Sequence, residues 1–184
     1  YGLFFWLPSF FVRSFGLELL EASVVFGSIL LIGGIAGTWA GGYMADRFGA
    51  GKRGNYVIIP AIAFLATIPL YILAILSPIL TMTFFALLIP TGLGLAWLGP
   101  VLSAIQHVVP PTMRATASAI FLFINNLIGI GAGTVALGLI SDNLEARFGD
   151  DSLRYAILTG TSFYLIAAIL FLISAKRLAK DWEE

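Results

Sequence analysis

One dense charged stretch, Gly42-Tyr43-Met44-Ala45-Asp46-Arg47-Phe48-Gly49-Ala50-Gly51-Lys52-Arg53, lies between hydrophobic runs long enough to cross a membrane. A carboxylate at the end of an apolar helix, followed by a cation, a turn glycine and two more cations, points to electrostatics at a membrane surface. The C-terminus of a helix carries partial negative charge, so a carboxylate at Asp46 is disfavoured by roughly 0.3–1 kcal/mol. Arg114 is the mirror case, a cation in the first turn of a helix that begins after Pro110-Pro111. Neither charge is expected to persist without a partner. Other chemistry has little to work with. There is no Cys, and the one histidine, His107, sits at a helix end beside the Pro-Pro turn. That position reads as an interfacial cap. No disulfide, thiolate metal site, bound metal or cofactor is expected, and no nucleophile–base pair is available at depth for an enzyme.

Within the apolar runs the polar candidates are few. Asn125 and Asn126 form the most polar pair at bilayer depth. They either face a polar path or make an interhelical hydrogen bond, which in membrane proteins averages about 0.6 kcal/mol. Successive helical residues point about 100° apart, so both are not expected to face one cavity. Phe4 and Trp6 in the first run, with Trp97 and Gln106 in the fourth, are further candidates for a cavity wall. The aromatics of the first run either line a cavity or sit in an interfacial belt. No Asp, Glu, Lys or Arg falls in the middle of any run, and intramembrane ionisable groups are the default ion or proton sites. Such sites are not expected in this chain.

The elements that hold these residues follow from composition. Of 184 residues, 59% are hydrophobic and only 11% charged, where soluble domains have about 25%. Mean hydropathy is +0.98. So little polar surface cannot cover a globule in water, and lipid is the expected solvent. Zero net charge argues against a nucleic-acid partner. The first run, 1–12, is broken by Pro8 and is shorter than the roughly 20 residues a span needs. It is expected to be the back half of a helix, followed by a polar loop of Arg13, Glu18 and Glu21. Five further helices are expected: 22–45, 55–77, 79–107, one N-capped by Thr112 and running to 140, and 153–175. A polar loop, 141–152, precedes the last of them. The second carries Gly33, Gly37 and Gly41 at close-packing spacing. The third is apolar all round and is expected to face lipid. The fourth, with Pro90, Gly92, Gly94, Gly99 and Pro100, is expected to bend and line a cavity.

Seven cations (Arg47, Lys52, Arg53, Arg114, Lys176, Arg177 and Lys180) fall on one side of this topology, against Arg13, Arg147 and Arg154 on the other. The excess places the charged loop and the C-terminus in the cytoplasm of a multi-pass protein, most simply in the cell membrane. The second and fifth helices also end alike: Gly42…Asp46-Arg47-Phe48-Gly49 is echoed by Gly138…Asp142 and Arg147-Phe148-Gly149. Residues 1–77 and 78–175 would then be two three-helix copies, ahead of a tail over 176–184. An odd number of spans per copy forces opposite orientation, an arrangement found in transporters.

The motif Gly42…Asp46-Arg47-Phe48-Gly49…Lys52-Arg53 resembles the loop motif between the second and third helices of each half of a major facilitator superfamily transporter. It departs from the pattern at Ala50 and Gly51, where cations are usual. The chain as a whole resembles the C-terminal six-helix half of such a protein, without the start of its first helix. Val109-Pro110-Pro111-Thr112-Met113-Arg114, Asn126-Leu127-Ile128-Gly129 and Gly138…Asp142 are most similar to the Spinster-like branch. The resemblance implies an all-α membrane fold with an inverted three-plus-three repeat, and secondary transport by alternating access. It implies as partners the bilayer, an N-terminal six-helix half and a small-molecule or lipid substrate such as a lysophospholipid or sphingoid phosphate. It also implies that Gly42, Asp46, Arg47, Gly49, Lys52, Arg53 and Arg114 act as a conformational latch. Transport of small organic anions or drugs, or a sensor or scaffold role on the same fold, stay open as alternatives. An apolar, aromatic wall suits a lipid better than a sugar, whose hydroxyls need many polar partners.

Overall fold

The computed structural model of the chain describes residues 1–49, 52–178 and 180. The motif's departure at Ala50 and Gly51, and most of the tail (179 and 181–184), lie outside the described residues. The described residues form six helical rods and no strand. We number them α1 (Gly2–Phe15), α2 (Leu19–Gly49), α3 (Asn55–Leu76), α4 (Leu80–His107), α5 (114–148) and α6 (152–178). Single turns at 96–97 and 161 loosen α4 and α6. The apolar stretch Pro111–Leu178 holds both α5 and α6 and reverses at Gly149, where φ is +54°.

Local chemistry sets the rod ends, and in places it overrides the sequence reading. Arg13 is not in a loop but in the last turn of α1, which closes on Gly16 in the left-handed region, its N–H donating to Val12. Glu18 and Glu21 likewise start α2: the Glu18 N–H donates to the Glu21 carboxylate at 3.3 Å. Thr112 is not an N-cap. It sits inside a 3₁₀ turn, Pro111–Met113, and makes no capping hydrogen bond. The expected loop over 141–152 is mostly helix, because α5 runs on to Phe148. Asn143 allows this by bonding back to the Leu139 carbonyl at 2.7 Å.

Two seams of close backbone contact hold the rods together. Along α2, a Cβ on Gly33 would lie 2.5 Å from the Leu88 carbonyl oxygen, and Cβ atoms on Gly37 and Gly41 would collide with the Gly92 and Ala96 carbonyls of α4. In the second seam, a Cβ on Gly2 of α1 would come within 2.8 Å of the Gly133 backbone in α5. Where lipid removes the hydrophobic drive, such packing is what joins helices. Between the seams lies a core of α1 and α3 side chains, including Leu7, Phe10, Phe11, Tyr71 and Ile75, all fully buried. The outer placement expected for α3 holds for one face only. Ile62, Leu65, Ile72, Leu73 and Leu76 are exposed, while Ala61, Phe64, Thr67, Tyr71 and Ala74 are buried. A uniformly apolar helix leaves its packed side unmarked, since lipid and core reward the same residues.

Each of α2 and α5 contains one π-helical turn, Leu30–Gly34 and Leu127–Ala132. Before its π turn α2 packs mainly on α1, and after it on α4; α5 packs on α4 before its turn and on α1 and α6 after. Exchanging α1 with α4 and α2 with α5 leaves this pattern unchanged. The two ends agree. Ala45, one residue before Asp46, clusters with Tyr56, Ala104 and Leu178 at one end of the bundle. Ser141, beside Asp142, pairs with Ser152 at 3.2 Å at the other end, where Arg154 also lies over the Phe10 ring. The fold is therefore an inverted repeat of three helices and three.

The seam predicts a graded response to side chains. Gly37→Val drives two methyl groups into the Gly92 backbone and should cost at least the roughly 1–3 kcal/mol of ordinary overpacking. Gly131→Ala meets nothing within 4 Å and should leave the thermal unfolding midpoint in detergent unchanged or slightly raised.

Candidate functional site

The charged loop is built by its own backbone. The Lys52 N–H donates to the Gly49 carbonyl at 3.1 Å, and the Asn55 N–H to the Lys52 carbonyl at 2.8 Å. The Asn55 side chain reaches back to the Phe48 carbonyl at 2.7 Å. That bond satisfies one of the orphan acceptors at the end of α2, and the sequence reading passed over it. Gly49 is buried because the Tyr56 ring lies where its Cβ would be. Gly42 is different: a Cβ there would meet nothing within 4 Å, although the Gly99 stretch of α4 passes behind its backbone.

Three charges of the loop, Asp46, Arg47 and Lys52, are exposed. Asp46 is exposed in the last turn of α2, and among the described residues it has no ion pair or hydrogen bond. Arg47 donates to the Tyr43 hydroxyl at 3.4 Å, and Tyr43 stacks on Trp39 with ring centroids 5.7 Å apart and planes 12° apart. A ridge of Trp39, Tyr43 and Arg47 thus runs up the exposed face of α2. Lys52 is exposed and Arg53 half-buried. Arg114, in the first turn of α5, is also half-buried, and its Nε has no acceptor. Asp46 and Arg114 thus stand at helix termini of unfavourable sign, without compensation inside the bundle.

The candidate wall residues divide. Phe4 is only 8% exposed in this bundle and packs on Phe26. Trp6 is a strut from α1 to α5: its indole N–H donates to the Thr134 carbonyl at 2.9 Å, and a Cβ on Gly138 would lie 3.0 Å from its ring. Trp97 is buried, with Tyr1 and Phe121 edge-on at 6.4 and 6.0 Å. Gln106 is exposed and donates to Ser118 at 3.3 Å. Asn126 is exposed and bonds back to the Leu122 carbonyl at 2.8 Å. Asn125 is half-buried, and its amide nitrogen has no partner. His107 ends the helical part of α4, where an interfacial residue was expected. Among the described residues no group of three His, Asp or Glu side chains is placed to hold a metal ion. Two open apolar grooves lie along the π turn of α2. The larger, about 640 Å³, is lined by residues that include Leu31, Ile35, Thr38, Trp39 and Leu95.

Residues 1–134 match the model of the Major Facilitator Superfamily. The chain belongs to that superfamily. A relative described as an MFS-type efflux pump of Mycolicibacterium smegmatis is 30% identical over 182 residues, covering 98% of this chain and 42% of the relative. Protein spinster homolog 3 of Homo sapiens is 28% identical, covering 98% and 39%. The fold matches a crystal structure of a bacterial homologue of the human lysosomal transporter Spinster, inward-facing and unoccupied. The TM-score is 0.85 at 22% identity, over 100% of this chain and 47% of that one. These matches place this superfamily member in the Spinster-like branch. It is a membrane protein, and it spans about two fifths of the length of the curated relatives it matches. Family and fold are those of transporters rather than of enzymes.

The loop predicts its own weak point. Asn55→Ala should cost about 1 kcal/mol of stability by leaving the Phe48 carbonyl without its donor. Limited trypsin digestion should then cut faster after Lys52 and Arg53 than in the unmodified protein.

Proposed function

We propose that the chain is the C-terminal half of a secondary transporter that works by alternating access and moves a lipid-like amphiphile. One observation carries the mechanism: Asp46 and Arg114 are left uncompensated at helix termini, on rods whose outward faces nothing in this bundle covers. In this reading the outward faces of α2 and α5 meet an N-terminal six-helix half. Asp46 approaches the N-terminus of a helix in that half, where positive dipole charge favours a carboxylate. The N-terminus of α5, with Arg114, receives the matching acidic residue. The open space in front of Gly42 supports close approach from outside the bundle. Arg47, Lys52 and Arg53 keep the loop on the cytoplasmic side, and with it the C-terminus of a cell-membrane protein.

These contacts form only when the cytoplasmic side is closed, so they bias the protein toward the outward-facing state. A bias of this kind equals the difference in interaction free energy between the two states. Charge neutralisation at Asp46 removes about 1 kcal/mol of it, or roughly a fivefold change in the population ratio. The cargo side rests on the apolar and aromatic wall and on the absence of any Asp, Glu, Lys or Arg at mid-span. A sugar would leave its hydroxyls unpaired against such a wall. Coupling charges would then belong to the other half. The relative described as an efflux pump favours a second reading, export of small organic anions or drugs through the same cycle.

Two measurements test the proposal in the full-length protein. Spin-label distances across the cytoplasmic ends should lengthen on average in Asp46→Asn and in Arg114→Gln. Unchanged distances and rates would remove the latch. Liposome flux of labelled lysophospholipid should exceed that of a labelled organic anion; the reverse order would favour the second reading, and no flux of either would remove transport.

A further inference from the structure

Asp46 and Arg47 are neighbours of opposite charge, both exposed, and yet they do not pair. The carboxylate has no ion pair or hydrogen bond among the described residues, while the guanidinium donates from Nη1 to the Tyr43 hydroxyl at 3.4 Å. Helical side chains lean toward the N-terminus of their helix, over the residues three and four places earlier. Tyr43 stands three places before Asp46 and four before Arg47, so both charged side chains lean toward its ring from either side. That ring is itself held. It stacks on Trp39, with centroids 5.7 Å apart and planes 12° apart. The residue four places before Asp46 is Gly42, where a Cβ would meet nothing within 4 Å. The carboxylate thus has an aromatic ring on the flank of its own cation and open space on the other flank.

We propose that Tyr43 is a positioning residue of the latch: it holds the Arg47 guanidinium off the Asp46 carboxylate and so keeps that carboxylate available to the N-terminal half. An ion pair between Asp46 and Arg47 would exist only while the latch is open, because closing the latch takes the carboxylate away. It would therefore favour the open state alone. The bond from Arg47 to Tyr43 lies within one helix and does not involve the carboxylate. It persists in both states and takes nothing from the difference between them. Stacking on Trp39 fixes the hydroxyl where the guanidinium can reach it. This inference rests on the proposed latch at Asp46 and adds to it the residue that keeps the latch from being quenched by its own neighbour.

Spin-label distances across the cytoplasmic ends of the full-length protein read the balance of closed and open states. Tyr43→Ala should move that balance about threefold toward the open state, the worth of one exposed ion pair. Tyr43→Phe keeps the ring and loses the hydroxyl, and should move it less in the same direction. Adding Arg47→Gln to Tyr43→Ala should return the balance to that of the unmodified protein, since the cation that the ring held off is gone. A merely structural role for the ring would not be cured by removing a cation. The assignment is overturned if Tyr43→Ala leaves the balance unchanged where Asp46→Asn moves it, or if the shift persists in the double variant. An unchanged balance in Asp46→Asn removes the latch beneath this inference, and the inference with it.

Discussion

Backbone-to-backbone contact along the glycine seams is the constraint on which the rest of this bundle depends. A bilayer gives helices little hydrophobic reason to associate, so their adhesion comes from dispersion and shape. Gly33, Gly37 and Gly41 let the carbonyls of α4 sit against α2, and Gly2 and Gly133 do the same for α1 and α5. Proline follows from the same constraint. Pro8 lies within α1, Pro60 and Pro69 within α3 and Pro90 within α4. Freed backbone groups are tolerated at membrane depth only where protein surrounds them.

The charged loop is arranged in two layers. Its inner layer serves the bundle: Asn55 closes the end of α2, and Tyr56 covers Gly49. Its outer layer includes Asp46 and Gly42, which have no side-chain partner or Cβ-level neighbour among the described residues. Asp46 projects from a helix end that repels it, and Gly42 is open in front. A motif that mixes both kinds of residue fixes its own shape while offering charge to something that comes and goes. The separation is economical, since a change in the outer layer need not unfold the inner one.

Much of this was readable in the sequence, for a physical reason. Lipid imposes long apolar runs, and charges collect between them, so the six rods and their order follow from hydropathy and loop cations. The glycine spacing of α2 announced a seam, and Gly138…Asp142 announced the repeat. Rod ends were harder, because they are set by local bonds that hydropathy does not see. The reciprocal contact of Glu18 and Glu21 started α2 earlier than expected, and the back-bonded Asn143 carried α5 through a stretch that looks like a loop. Sidedness within a rod was hardest. Phe4 and Trp97 are both buried against other aromatics in this bundle, a placement that hydropathy does not mark. Asn125 and Asn126 were indistinguishable in sequence, yet Asn126 bonds back to the Leu122 carbonyl of its own helix and Asn125 does not. Neither π turn has a sequence signature that we can name.

Those π turns have a consequence for what may vary in this chain. A π turn holds one residue more than the α-helix around it, and one residue is worth about 100° of rotation. The surplus near Leu30–Gly34 sets the compass bearing of the stretch of α2 that ends at the charged loop, and that near Leu127–Ala132 does so for the stretch of α5 beyond it. Chain length between the change of partner and the terminal charge is therefore the inherited quantity. Exposed side chains inside the turn can vary so long as their number and the seam glycine Gly33 are kept, and losing one residue would swing Asp46 a quarter-turn or more around the rod without altering a single residue of the motif.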